Sequence, residues 1–533
     1  MINLIEKYKL PSKYAEYIGL SYANSTSEKH KKENGQYFTP KSISDFMGNL
    51  AKPKATKISI LDPGCGTAIL SCSLIEKLVQ ENNIQEIELT LYETDKTILT
   101  ETKKVVEFLK KWLEHRKIGF SSLLNVTDFI VDNSVAFYQN SLFNTKKTKK
   151  YDYIVSNPPY FKISKSDKRA IVAKELVYGQ PNIYSIFMGL SAKLLKPDGE
   201  LIFITPRSFA AGNYFKAFRQ SFFKEVSISN IHIFHSRNKM FKNDNVLQEN
   251  IIIRASKNHN SNIQITVSES DKDIQNAIEY LYDTEDLIDT NSQDKILFIP
   301  SNPNEFNTIK IFKGWHNTLN DFNIKISTGP VVAFRNRNFL KKDGQINGII
   351  SPLIWLHNVK PMEFAYPLQK GNKPGLIENS EASRKVLLKN KNYIFLRRFS
   401  SKDDKSRLVC CPYFCSNIET EMIGVENHVN YIHRPDGDML ENEIWGISAL
   451  YSSSLFDTYF RTFNGNTQVG ASELKQIKMP PLNEIKNIGQ KVKELNDYDK
   501  QSIDNIINTV LLEKKTDVKN TGSTSNFKRV GVA

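Results

Sequence analysis

Four consecutive residues, Asn157-Pro-Pro-Tyr160, have the makings of a device for a weakly nucleophilic amine. Two prolines fix φ at successive positions and remove two backbone donors, leaving the local carbonyls as pure acceptors. An amine whose lone pair is delocalised into a ring attacks poorly. Two acceptors, the Asn157 side-chain oxygen and the Pro158 carbonyl, would hold both its hydrogens and localise the pair. They would also aim it at an electrophilic carbon, which is catalysis by positioning and electrostatics without a base. Pro159 keeps the turn rigid, and Tyr160 offers a flat face on which a planar group can stack. A structural turn can use the same residues. This one follows the apolar run Tyr151 to Val155, at the strand end where open α/β sheets place their sites.

Three other places carry compatible chemistry. Asp62-Pro-Gly-Cys-Gly-Thr67 is a glycine turn between a short apolar run and a helical pattern. Gly64 and Gly66 would let a ligand approach the backbone closely, and Asp62 can accept a hydrogen bond from an ammonium group. A glycine turn that binds nothing is the alternative. Glu93, in Leu91-Tyr-Glu-Thr-Asp95, ends the next apolar run, where a carboxylate can accept both hydroxyls of a ribose. Taken by itself, Glu93 fits a solvent-facing strand end better. Asn140, in Gln139-Asn-Ser-Leu-Phe143, could reach the ring of a nucleoside.

The elements that must position these residues alternate. The pattern predicts strands at Ile58 to Leu61, Ile87 to Tyr92, Tyr151 to Val155 and Leu201 to Thr205. It predicts helices at Ala68 to Val79, Thr97 to Trp112 and Ile183 to Leu195, the last closed by the turn Lys196-Pro-Asp-Gly199. Ile231 to Phe234 and Asn250 to Arg254 read as a closing antiparallel pair. Strands alternating with helices predict a mostly parallel sheet covered on both faces. After Ser256 the pattern breaks at the polar stretch Asn258-His-Asn-Ser-Asn262, and from about 297 onward strands are short and irregularly spaced. Residues 484 to 514 return to helix, and 516 to 533 are polar and expected to be disordered.

A chain of 533 residues predicts two to four domains. Its apolar runs are far shorter than the ~20 residues needed to cross a bilayer. No apolar signal core stands at the N-terminus, where Glu6 already intervenes. The five cysteines, Cys65, Cys72, Cys410, Cys411 and Cys415, form neither a zinc pattern nor a disulfide framework, and a reducing cytoplasm is expected. Net charge is +14. Residues 331 to 410 hold sixteen lysines and arginines against six aspartates and glutamates, with Phe334, Phe339, Trp355, Tyr393, Phe395 and Phe399 interleaved. That block suits a polyphosphate partner, or else a solvated basic surface.

Taken together, the motifs resemble those of the gamma-class N6-adenine DNA methyltransferases, in the order X, I, II, III, IV to VIII, then a recognition domain. Asn34-Gly-Gln-Tyr-Phe-Thr-Pro40 resembles motif X, Asp62 to Gly66 motif I, Glu93 motif II, Asn140 motif III and Asn157 to Tyr160 motif IV. Motif III usually carries Asp where Asn140 stands, and Thr67-Ala68 is a mild departure after motif I. Phe241, in Asn238-Lys-Met-Phe-Lys242, resembles the motif VIII aromatic that stacks on a flipped base. Asn245 to Ile251 and Ser327-Thr-Gly-Pro-Val331 are similar to the BsuBI/PstI-type modification methylases of type II restriction-modification systems. Gly465-Asn-Thr-Gln-Val469 resembles a late motif of such recognition domains.

The resemblance implies an α/β fold. An S-adenosylmethionine (AdoMet)-dependent, Rossmann-like domain with a mostly parallel sheet would precede a mixed α+β target-recognition domain. It implies a helical extension over 1–30, the catalytic domain over 31–262, recognition over 263–482, and a C-terminal helix and tail over 483–533. Asn157, Pro158, Pro159, Tyr160 and Phe241 would be catalytic. Tyr37, Thr39, Asp62, Gly64, Gly66, Glu93, Asn140 and Phe187 would hold AdoMet, with no metal. The partner would be double-stranded DNA, with Arg335, Arg337, Arg397 and Arg398 as candidates for base edges or phosphates. The implied role is protection of host DNA from a separate cognate restriction endonuclease. Three alternatives share these motifs: a methylation subunit that needs a separate specificity chain, a protein-glutamine methyltransferase and an RNA adenine methyltransferase. The large basic second half argues for self-contained recognition.

Overall fold

The computed structural model describes residues 6–36, 38–81, 83–138, 148–177, 179–235, 249–290, 292–368, 371–401 and 404–512. The chain divides into two compact units, residues 1–306 with Thr462–Gly465, and Asn307–Arg461 with residues 466–533.

The first unit is built on a nine-stranded sheet. Its strands are β1 (Lys57–Pro63), β2 (Glu86–Tyr92), β3 (Gly119–Asn125), β4 (Tyr151–Ser156), β5 (Leu195–Pro206), β6 (Ser227–Phe234), β7 (Asn250–Ser256), β8 (Asn262–Ser268) and β9 (Ile278–Asp283). The order is β3-β2-β1-β4-β5-β7-β6-β8-β9. β3, β2, β1, β4 and β5 run parallel, and β7 enters antiparallel between β5 and β6. β1 is buried at every position from Ile58 to Pro63, as expected of a parallel strand covered on both faces. In the helix Leu99–Glu114 the buried residues Thr102, Val105, Phe108, Leu109, Trp112 and Leu113 recur at helical spacing, and all but Thr102 join the apolar core that includes β1 and β2.

Three sequence expectations change. The residues Lys196 to Gly199 do not form a separate turn; β5 starts at Leu195 and absorbs them through a register shift against β4. The sheet does not stop at 262, because β8 pairs with β6 and β9 with β8. The helix Pro11–Ser25 belongs to the core rather than lying beside it. Tyr14 stacks on Phe108 with ring centroids 4.7 Å apart, and Glu76 accepts bonds from the Ser12 amide and hydroxyl at 2.6 and 2.8 Å.

A return segment completes the first unit. The Arg207 guanidinium is buried and donates to the carbonyls of Ile299 at 2.8 Å and Thr462 at 2.5 Å. A Cβ on Gly465 would come within 2.9 Å of the Arg207 carbonyl carbon and the Ser208 nitrogen, so only glycine permits that approach.

The second unit is mixed α+β. One sheet has four strands in the order Lys325–Thr328, Val429–His433, Tyr393–Arg397 and Cys410–Tyr413. Another has five, Leu340–Lys341, Leu376–Glu378, Ile350–Ile354, Met422–Val425 and Leu387–Lys389. Ile354, Phe395, Tyr413, Ile423 and Val429 join in one apolar core. The helices Glu441–Ser452 and Leu482–Lys493 cross at glycine: a Cβ on Gly489 would lie 1.8 Å from the Asn442 carbonyl oxygen. The single helix expected over 484–514 is two, because Asp499 caps a fresh start at Lys500–Leu511 by accepting from the Gln501 and Ser502 amides. The tail from 516 lies outside the described residues.

Candidate active site

Parallel strands end on one edge of a sheet, so the loops after β1, β2, β3 and β4 meet there. Between them lies a cleft of about 350 Å3. Thr39, Gly64, Gly66, Glu93, Asn157, Pro159 and Phe187, all singled out from sequence, line it together. It sits where the sheet order reverses beside β1, the topological switch point of an open α/β sheet.

The glycine turn after β1 is tied to β2: the Gly64 and Cys65 amides both donate to the Tyr92 carbonyl at 2.9 Å. Gly64 and Gly66 have φ of 76° and 52°, in the left-handed region that glycine tolerates. A Cβ on Gly66 would meet nothing within 4 Å, so its backbone borders open space. Asp62 lies beneath, fully buried, with Oδ2 accepting from the Ser71 hydroxyl at 2.6 Å. Its Oδ1 has no hydrogen-bond partner among the described residues. Burial, opposed by the Ser71 bond and reinforced by the nearby Glu93 charge, pushes the carboxyl up to about 7. Glu93 accepts from the Gly66 amide at 3.0 Å and the Asp95 amide at 2.9 Å, and burial raises it above the usual carboxylate range.

Asn157 stands at the cleft edge with its carboxamide held at both ends. Its Nδ2 donates to the Thr39 hydroxyl at 3.1 Å, and its Oδ1 lies 2.5 Å from the Tyr160 hydroxyl. That hydroxyl also lies 3.1 Å from the Ile204 carbonyl, and the Tyr160 ring meets Tyr184 edge-on. Tyr160 is therefore anchored through its hydroxyl, a role the sequence reading as a stacking face did not include. Pro158 is buried, and neither it nor Tyr160 lines the cleft.

The stretch resembling motif X lines the cleft at Asn34, Gly35 and Gln36 as well as at Thr39, while several other lining groups were not expected. Glu33 to Gln36 cover the cleft from the N-terminal segment, and a Cβ on Gly35 would sit 2.9 Å from Pro159 Cβ. Asp95 secures that segment: its Oδ2 accepts from Gln36 Nε2 at 2.6 Å and Tyr22 at 3.1 Å and lies 2.7 Å from His30 Nε2. Burial pushes the Asp95 carboxyl up, but bonds from His30, Thr97 and Gln36 outweigh it and hold the group at about 2. Thr127, Asp128 and Phe129 line the cleft after β3, and Arg169 lines it while pairing with Asp167 at 2.6 Å. Tyr37, Asn140 and Phe241 lie outside the described residues.

In the second unit the four arginines separate. Arg335 and Arg337 are exposed. Arg397 donates to the Val359 carbonyl at 2.7 Å and Arg398 to the Asn427 carbonyl at 2.9 Å, so both spend donors on the fold.

A parallel sheet that reverses beside β1 and admits one antiparallel strand between β5 and β6 is the fold of the AdoMet-dependent methyltransferases. The Eco57I restriction-modification methylase family matches residues 69–241. The chain is 31% identical over 493 residues to the type II methyltransferase M.BsuBI of Bacillus subtilis, covering 91% of this chain and 96% of that one. It is 30% identical over 492 residues to the type II methyltransferase M.PstI of Providencia stuartii, covering 92% and 95%. The protein thus belongs to the family of type II restriction-modification methyltransferases that includes these two. Among solved structures it is similar in fold to the type IIL restriction-modification enzyme MmeI, solved in complex with DNA. That match has a TM-score of 0.50 at 12% identity and covers 91% of this chain and 73% of the other.

Proposed function

We propose that the protein transfers a methyl group from AdoMet to the N6 amine of an adenine flipped out of duplex DNA. The observation that carries this reading is the Asn157 carboxamide, fixed at the edge of the cleft lined by Gly64, Gly66 and Glu93. The chain's own residues fit the cofactor. Asp62 Oδ1, buried without a partner among the described residues, suits the ammonium of its methionine end. Glu93 suits the ribose, the open backbone at Gly66 allows close approach, and Phe187 offers an apolar wall. When bound, AdoMet supplies an electrophilic methyl group on a sulfonium. Asn157 Oδ1 and the Pro158 carbonyl would accept the two amine hydrogens and hold the lone pair in line. The buried amine in a stacked duplex is out of reach, so the base must be extruded. Tyr37, Asn140 and Phe241 enter this proposal by family resemblance alone.

We assign sequence reading to the second unit, whose basic block suits phosphate contacts with Arg335 and Arg337 exposed. The biological role is host-DNA protection beside a separate cognate restriction endonuclease, in the cytoplasm. The test incubates the purified chain with labelled AdoMet and duplex DNA and then identifies the methylated nucleoside by mass spectrometry. N6-methyladenine without any added subunit is the expected product. N4-methylcytosine would overturn the adenine assignment, and label only in protein or RNA would overturn the substrate class. Asn157→Ala should abolish incorporation while sparing AdoMet binding.

A further inference from the structure

We propose that Phe334 is an apolar wedge that enters the base stack of bound duplex DNA. This rests on the reading above that duplex DNA is the substrate. A singly exposed apolar side chain is ordinary on a protein surface. Phe334 is 77% exposed, the most exposed large apolar side chain among the described residues. Its backbone is rigid. Asn336 Oδ1 accepts from the Val332 amide at 2.9 Å, and the Arg335 and Asn336 amides both donate to the Val332 carbonyl at 2.9 Å. The root of this turn is locked to the second unit. Val331 is fully buried against Leu353, Trp355 and Ile377, and its amide donates to the Val425 carbonyl at 3.0 Å. A Cβ on Gly329 would fall 2.3 Å from the Glu426 carbonyl oxygen, so the loop runs flush against its neighbour.

A mobile tip would hide such a ring by folding it back. Here the backbone holds it outward. Arg335 lies beside it, with the guanidinium carbon 5.3 Å from the ring centroid, and Arg337 is exposed in the next turn. An aromatic flanked by cations is matched to nucleic acid: the arginines take phosphates or base edges while the ring unstacks a step. Stacking against bases would bury the ring and offset part of the cost of opening the step.

The test uses the full chain and a duplex of about 30 base pairs carrying the site mapped in an expressing host. The duplex has 2-aminopurine at each adenine of the site in turn and dyes at its ends. Wild-type protein should raise the 2-aminopurine fluorescence and shorten the end-to-end distance. Phe334→Ala should lose both signals and lower kcat/KM roughly ten- to hundredfold, with AdoMet affinity and thermal unfolding unchanged. Phe334→Trp should keep both signals. Wild-type fluorescence and bend from Phe334→Ala would overturn the proposal, as would a change only in the protein's oligomeric mass. If wild-type protein methylates no duplex at all, the substrate reading fails and the wedge with it.

Discussion

The Thr39 hydroxyl accepts a hydrogen bond of 3.1 Å from the Asn157 carboxamide nitrogen, across 118 residues of sequence. This contact, with the Tyr160 hydroxyl 2.5 Å from the oxygen, fixes the orientation of the carboxamide at the cleft edge. Thr39→Val keeps the shape and removes the acceptor, leaving a donor unsatisfied at a cost of about 1–3 kcal/mol. We expect kcat to fall roughly tenfold or more, and Thr39→Ser to restore most of it. Single-turnover methylation checks this. An unchanged kcat in the valine variant would show that Tyr160 alone orients Asn157.

Asp62 predicts a pH dependence. Its folded-state value of about 7 stands above the ordinary 3.8 of an unfolded chain. The folded apo-protein thus binds a proton that the unfolded chain has lost. Stability should fall as pH rises through the window from about 4 to 7 and level off above it. A cationic ligand group needs the charged carboxylate, so AdoMet affinity should weaken by up to tenfold per pH unit below about 7. Calorimetry in buffers of different ionisation enthalpy would detect proton release on binding. Asp62→Asn should bind weakly with a flat profile.

Asp95 joins the loop after β2 to the N-terminal segment that covers the cleft. Asp95→Asn removes the charge that strengthens those bonds, each worth roughly 1.5–3 kcal/mol when charge-assisted. The expected result is an AdoMet Kd raised about tenfold and faster amide exchange in Glu28–Asn34. Hydrogen exchange by mass spectrometry measures the second effect separately from activity. Unchanged exchange in that helix would remove Asp95 as its anchor.

Gly489 predicts a stability effect away from the chemistry. A Cβ there would lie 1.8 Å from the Asn442 carbonyl oxygen, and one on Gly446 would lie 2.0 Å from the Ile485 carbonyl oxygen. Gly489→Ala must separate the two helices, costing about 3 kcal/mol or more. The thermal transition of the second unit should drop by roughly 6–12 °C. Calorimetry checks this, and a drop under 2 °C would mean the helices slide apart freely.

Much of the first unit was legible because parallel strands put their functional candidates in the loops at their carboxyl ends. Asp62, Glu93 and Asn157 each close an apolar run, so strand patterning alone placed them on one edge. What sequence could not give were the contacts that cross the chain. Asp95 is a plain acidic residue until His30, Gln36 and Tyr22 converge on it. Arg169 is one arginine among many until it comes within 3.9 Å of Asp128, with which it lines the cleft. The boundary after Ser256 was misleading because the asparagine-rich turn interrupts the pattern without ending the sheet. Asn262-Ile-Gln-Ile-Thr-Val-Ser268 alternates with period two, the signature of a strand, and it extends the same sheet.

The return segment Thr462–Gly465 bears on how such enzymes could be recombined. Exchanging the second unit between relatives, to test its proposed role in sequence reading, would ordinarily need one splice. Here a donor half fused after residue 306 must also hand back a matching tetrapeptide to receive the Arg207 guanidinium. Chimeras that neglect this stitch should deprive a buried cation of one of its acceptors and fail in the first unit, whatever the quality of the grafted half.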